Sequence, residues 1–134
     1  MSRKIILIAI LFTALTNLAA AATYYVDDTN AVDDTGVGSE IGPWKTIPKI
    51  GDSRGGNTFS EGDTCYVKNG TYDGFSESSN IDRSSWTKWV ADAGHTPTIA
   101  FIDIDSTFPD APHDKYYWFE GFTVTPHSAL TRML

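Results

Sequence analysis

Residues that commonly carry catalysis are scarce in this chain. Its 134 residues include one cysteine, Cys65, and three histidines, His95, His113 and His127. A lone cysteine excludes an internal disulfide. The histidines sit in turn- or loop-like stretches, with no H-E-x-x-H pair and no His–Cys spacing that would suit zinc. A G-x-S-x-G nucleophile elbow and a phosphate-binding glycine loop are also missing. Cations are few, with 10 Lys and Arg against 17 Asp and Glu, for a formal net charge of −7. That balance leaves no basic footprint for nucleic acid, which is excluded as a partner. It also repels polyuronates unless a metal or a local basic groove intervenes.

The first 22 residues have a purpose of their own. Arg3-Lys4 forms a positive n-region, Ile5 to Leu18 an apolar run, and Ala20-Ala21-Ala22 an A-x-A site before Thr23. This is the pattern of a secretory signal peptide, residues 1–22, with cleavage expected before Thr23. The run is interrupted by Thr13, Thr16 and Asn17, whereas a membrane span needs about 20 apolar residues. The mature protein is therefore expected to be secreted, extracellular or periplasmic, with no stable membrane anchor after cleavage. Cleavage removes two cations and no acid, taking the formal charge from −7 to −9.

Residues 23–134 are short enough for one domain. The most informative stretch runs from Glu61 to Tyr72. Gly62-Asp63 makes a turn. Thr64 to Lys68 alternate, with Cys65 and Val67 on one face and Thr64, Tyr66 and Lys68 on the other. On that pattern Cys65 is a small core hydrophobe, with a reactive thiol as the alternative. Asn69-Gly70 is the strongest turn signal in the chain, and Thr71-Tyr72 starts another strand. Such a bend is either a hairpin or the corner of a coil. Further strands are expected at Thr23 to Val26, Trp86 to Val90, Thr98 to Ile104 and Tyr116 to Thr125. Polar loops are expected at 27–40, 52–60, 73–85 and 106–114. Trp44, Ile47 and Ile50 fall on one helical face, so Pro43 to Ile50 predicts a short helix, or a single turn because Pro48 lacks a donor. Corresponding valines lie 23 residues apart (Val67, Val90) and then 34 (Val90, Val124). This quasi-period fits a solenoid, and equally a small antiparallel β-sandwich.

A family resemblance bears on that choice. Gly62-Asp63-Thr64-Cys65-Tyr66-Val67-Lys68-Asn69-Gly70-Thr71-Tyr72 resembles the G-D-T-x-Y-V-x-x-G-T-Y first coil of pectate-lyase-like right-handed parallel β-helices. Tyr24-Tyr25-Val26-Asp27 and Pro43-Trp44-Lys45-Thr46-Ile47 are similar to the capping segment of that superfamily. Tyr117 to Thr125 is similar to its Y-W-x-x-x-G-F-T-[IV]-T coil. The matches run in family order over roughly residues 23–125. The resemblance implies an all-β fold, the N-terminal cap and first coils of a right-handed parallel β-helix, with a short capping helix or turn. It also implies a secreted carbohydrate-active protein, a polysaccharide lyase or glycoside hydrolase, with a non-catalytic adhesin or structural β-helix as the alternative. Two to three coils and one cap are fewer than a solenoid needs, so the chain is expected to be the N-terminal portion of a longer protein. The acting Lys, Arg or Asp of such proteins lie on later coils, so no catalytic residue is transferred here and the chain alone is expected to be inactive. No cofactor is expected in this chain; Ca²⁺ belongs to the full-length protein if anywhere.

Four features remain as candidates. Asp27, Asp28, Asp33 and Asp34 are clustered oxygen ligands that Ca²⁺ could use, or ordinary turn residues; the EF-hand spacing is absent. Asp103 and Asp105 share a strand face at roughly 6.5 Å, a separation that glycosidase carboxylates also use, although a solvated strand end explains them as well. Asn69-Gly70-Thr71 matches a glycosylation sequon, which the turn accounts for. The aromatics Tyr66, Tyr72, Trp86, Trp89, Tyr116, Tyr117 and Trp118 are many for so short a chain, and alternation must turn several outward. Outward rings stack on sugars, making a polysaccharide the expected partner.

Overall fold

The computed structural model describes residues 20–77, 81–104, 107–108, 111–112 and 114–125. Over those residues the protein is all-β, without a helix, and its larger sheets are parallel. The main sheet has four strands: β1 (Thr23–Val26), β4 (Thr64–Val67), β7 (Thr87–Ala91) and β12 (Tyr117–Glu120), in the order β1-β4-β7-β12. A second sheet orders β13 (Thr123–Val124), β8 (Thr98–Ile99) and β5 (Thr71–Tyr72) as β13-β8-β5. A third pairs β6 (Phe75–Glu77) in parallel with β9 (Ile102–Ile104). The chain visits these sheets repeatedly in the same sequence. It passes through β4, β5 and β6, then β7, β8 and β9, then β12 and β13, each strand lying beside its counterpart from the preceding pass.

The Asn69-Gly70 bend is consequently a corner between sheets, since β4 and β5 belong to different ones. Among the described residues, antiparallel pairing is confined to two small hairpins, β2 (Ser53–Arg54) with β3 (Asn57–Thr58) and β10 (Thr107–Phe108) with β11 (Ala111–Pro112), and one isolated bridge between Ser39 and Gly42. The antiparallel sandwich is thereby corrected. Its short strands and turns are present, but they pair in parallel across long sequence separations.

The helix expected over Pro43 to Ile50 does not form. Trp44 donates its N–H to the Tyr25 carbonyl at 3.0 Å and accepts from the Asp27 N–H at 2.9 Å. Those groups would otherwise serve a helix, and Pro48 could not continue one. The segment instead covers the free edge of β1, together with Gly38, whose carbonyl accepts from Tyr25 N–H at 2.8 Å. Gly38 has φ 75°, and a Cβ there would stand 2.7 Å from Tyr24 Cδ1 and 2.8 Å from Trp44 Cε2. Only glycine allows the chain so close to those rings.

The strand expected over Thr98 to Ile104 is two short ones, β8 and β9, in different sheets. The last strand region is likewise split into β12 and β13, at Gly121 with φ 78°. Val90 pairs with Glu120, and Val124 with Ile99. The expected Val90–Val124 equivalence is therefore off by a sheet, because the corner at Gly121 separates them.

The inward residues of the main sheet form one rung after another: Tyr24, Cys65, Trp89 and Phe119, then Val26 and Val67. Tyr72 and Phe75 from the first pass, Ile99 from the second, Trp44 from the covering segment and Phe59 just after β3 complete the core. Trp89 lies at its centre, stacked on Phe119 at 4.8 Å and donating Nε1–H to the Pro48 carbonyl at 2.9 Å. Burying such side chains contributes about 1.5–3 kcal/mol each. Trp89 and Tyr72, two of the aromatics considered for a surface, are thus core residues.

Candidate functional site

Alternation that sends Cys65, Val67 and Trp89 inward sends their neighbours outward. Across the outer face of the main sheet, one row reads Thr23, Thr64, Lys88, Trp118 and the next Tyr25, Tyr66, Val90, Glu120. Trp86 stands two residues before Lys88 on the same face, beside Tyr116. Thr64, Tyr66, Trp86, Lys88, Val90, Trp118 and Glu120 line an open groove of about 510 Å³. Trp86 and Trp118 are half exposed, at 50% and 48%. Rings of that size in water mark a binding surface more than a core.

Two aromatic groups make up the face. Trp86 meets Trp118 at 6.1 Å and 83° and Tyr116 at 5.3 Å and 84°, so the rings form an angled corner. On the strands at the other side, Tyr25 and Tyr66 stack at 5.6 Å. Lys88 and Val90 lie between the two groups in the rows. Trp118 donates Nε1–H to Glu120 Oε2 at 2.9 Å, which fixes both the ring and the carboxylate. Among the described residues Lys88 has no ion-pair or side-chain hydrogen-bond partner, leaving a free ammonium beside the tryptophans. An aromatic cage for a quaternary ammonium is disfavoured by that positive charge. A hydroxyl-rich ring is not: its apolar face stacks on indole while Lys88 and Glu120 donate to and accept from its hydroxyls.

The other candidates are placed as follows. The acidic loop carboxylates hold the loop itself. Asp27 accepts from the N–H groups of Thr29 and Asn30 and from Asn30 Nδ2. Asp33 accepts from Thr35. Asp34 accepts from Lys45 N–H, Thr46 N–H and the Thr46 hydroxyl, and pairs with Arg54 at 3.1 Å. Burial pushes the Asp34 carboxyl up, and those hydrogen bonds with Arg54 more than offset it, leaving it below the usual range. Asp27 is lowered in the same way, burial being outweighed by Asn30, Thr29 and Lys68. Among the described residues no group of three or more His, Cys, Asp and Glu is arranged to hold a metal ion. Asp103 is exposed on β9, while Asp105, His113 and His127 lie outside the described residues. His95 accepts the Asn69 N–H on Nδ1 at 3.1 Å, and Asn69 Oδ1 accepts from Thr96 N–H at 2.7 Å, so this pair ties one corner to the next. Burial pushes the Cys65 thiol far up, which makes it an inert core group and not a nucleophile. Tyr72, buried under the Asp27–Asn30 turn, is pushed up to about 12.

Sequence reasoning named seven aromatics without saying which face outward. Tyr66, Trp86, Tyr116 and Trp118 lie on this face, Tyr72 and Trp89 are buried and Tyr117 packs against the core, while Tyr25, Lys88 and Glu120 were missed. The signal for Lys88 was present in the alternation Trp86, Lys88, Val90. Tyr25 and Glu120 become visible only once parallel register sets them in one row. No family model, no curated protein and no solved structure matches this chain, so the face is interpreted from its own chemistry.

Proposed function

We propose that the protein is a secreted, pectate-lyase-like right-handed parallel β-helix whose outer aromatic face holds a polysaccharide. Repeated parallel passes in one sheet order support the β-helix, and parallel crossovers are right-handed in about 98% of cases. The order of the Gly62 to Tyr72 and Tyr117 to Thr125 motifs supports the superfamily. The observation that carries the binding role is the pair of half-exposed tryptophans, Trp86 and Trp118, beside Lys88, which has no side-chain partner among the described residues. The chain's part in a polysaccharide lyase or glycoside hydrolase is to bind and orient the polymer.

A non-catalytic reading is favoured by a specific feature. Among the described residues the groove is lined by one carboxylate, Glu120, where a glycosidase uses two. An adhesin needs only the aromatic surface.

The test is affinity electrophoresis and calorimetry against a panel of neutral and acidic polysaccharides. Wild-type protein is expected to be retarded by at least one of them. Trp86→Ala and Trp118→Ala are each expected to weaken that binding by roughly two- to tenfold, from about 0.5–1.5 kcal/mol per stacked ring. Both variants should melt like wild type. Retention by the double variant equal to wild type would remove the face from consideration. Release of unsaturated uronate or of reducing ends separates the enzymatic from the adhesive reading.

A further inference from the structure

The leader offers two small-residue cleavage registers, Ala19-x-Ala21 and Ala20-x-Ala22. The sequence alone favoured the second, which makes Thr23 the first mature residue. The fold distinguishes between them. Ala22 donates its N–H to Asp63 Oδ1 at 2.7 Å, and its carbonyl accepts from Thr64 N–H at 2.9 Å. It also packs against the core cluster, whereas Ala20 and Ala21 are exposed. Asp63 is only 4% exposed, and its other oxygen accepts from Ser60 N–H at 2.7 Å. Ala22 is therefore the first residue held by the parallel ladder between β1 and β4.

We propose that the leader is cut between Ala21 and Ala22, and that the new terminal ammonium of Ala22 pairs with the buried Asp63 carboxylate. The reaction is hydrolysis of one peptide bond by a signal peptidase. Water supplies the oxygen of the Ala21 carboxylate, and the amine released on Ala22 takes up a proton. At neutral pH an α-amino group with pKa about 7.7–8.0 is mostly charged. The amide hydrogen bond to Asp63 then becomes a charge-assisted one, which is stronger. Cutting after Ala22 has the opposite effect. Asp63 Oδ1 loses its donor and Thr64 N–H its acceptor, at a strand end that is partly buried and where the Asp63 side chain is buried. The peptidase reads the extended leader and not the fold. Of the two registers it could accept, only one leaves the mature chain its first rung.

This inference rests on the export reading, and one experiment separates them. The full chain is expressed with its own leader in a secreting bacterial host, and the exported protein is analysed by N-terminal sequencing and intact mass. A first residue of Ala22 is the expected result. A first residue of Thr23, or any other cut site, overturns the Ala22 assignment and leaves export standing. An uncleaved, membrane-associated product overturns both. A chain made to begin at Thr23 is expected to melt below one that begins at Ala22. Equal melting of the two would overturn the stabilising Ala22–Asp63 pair, whatever the cut site found by sequencing.

Discussion

Replacing Trp89 probes the register of the whole main sheet. The side chain is fully buried and touches the passes before and after its own, Phe59 and the covering segment. Its ring stacks on Phe119 at 4.8 Å and packs against Phe75 at 4.9 Å, Phe59 at 5.5 Å and Tyr117 at 5.7 Å. Its Nε1–H satisfies the Pro48 carbonyl at 2.9 Å. Trp89→Ala removes the ring and leaves a cavity, at about 3–5 kcal/mol. It also orphans the Pro48 oxygen, at about 1–3 kcal/mol. Against a typical domain stability of about 5–15 kcal/mol, that variant is expected to unfold in large part. Trp89→Phe is the more informative change. It keeps a ring in the stack and loses the hydrogen bond and one ring's volume, for about 2–4 kcal/mol. Urea denaturation should show a lower midpoint with an unchanged m-value. The neighbouring exposed Lys88→Ala should stay within about 0.5 kcal/mol of wild type. A one-residue slip of β7 would exchange the faces of these two residues. A Trp89→Phe midpoint equal to wild type, with Lys88→Ala strongly destabilised, would refute the register and the aromatic face with it.

Further outcomes follow from other parts of the structure. Gly38→Ala forces a Cβ against Tyr24 and Trp44 at positive φ, and is expected to lower the melting temperature by roughly 5–10 °C; an unchanged melt would contradict the covering of β1. Asp27 and Asp34 have carboxyls lowered in the folded state. Their contribution is present above the unfolded value of about 4 and is lost as pH falls through the lower folded values. Melting temperature should therefore drop in acid below about pH 4, and Asp34→Asn should shrink that drop; an acid limb of undiminished size in the variant would count against it. Cys65 is fully buried with its thiol raised, so a thiol reagent should label it only after unfolding in urea. Fast labelling of native protein would mean that β4 faces the other way.

The main-sheet strands were legible in the sequence, because alternation is local, but β2, β3, β6, β10 and β11 fall in stretches expected to be polar loops, being only two or three residues long and too short to show a period. Thr64 to Val67 declares its inward side through Cys65 and Val67, whereas Thr23 to Val26 was read as a strand without a face, and the structure turns Tyr24 and Val26 inward. Partners were not legible. Thr64 pairs with Thr23 on one side and Lys88 on the other, and nothing near Thr64 encodes either. The mistaken helix has a similar origin: Trp44, Ile47 and Ile50 have helical spacing, yet the Trp44 backbone is used by β1. For the site, counting aromatics found the right residue type. It could not separate Trp86 and Trp118 from the buried Trp89 and Tyr72, since that sorting depends on register and on corners such as Asn69-Gly70.

The way each strand lies beside a counterpart from an earlier pass has a kinetic consequence. The full ladder of the main sheet requires closing the chain over separations from 24 residues (Thr64 to Lys88) to 41 (Thr23 to Thr64), because its strands pair with strands from other passes and not with their neighbours in sequence. Loop-closure entropy is lost before any pairing compensates for it. Folding should accordingly be slow, in the millisecond-to-second regime of non-local β topologies or beyond it. Until the ladder closes, Trp86 and Trp118 are remote from Tyr25 and Tyr66, so ligand binding should appear in stopped-flow refolding only with the slowest phase.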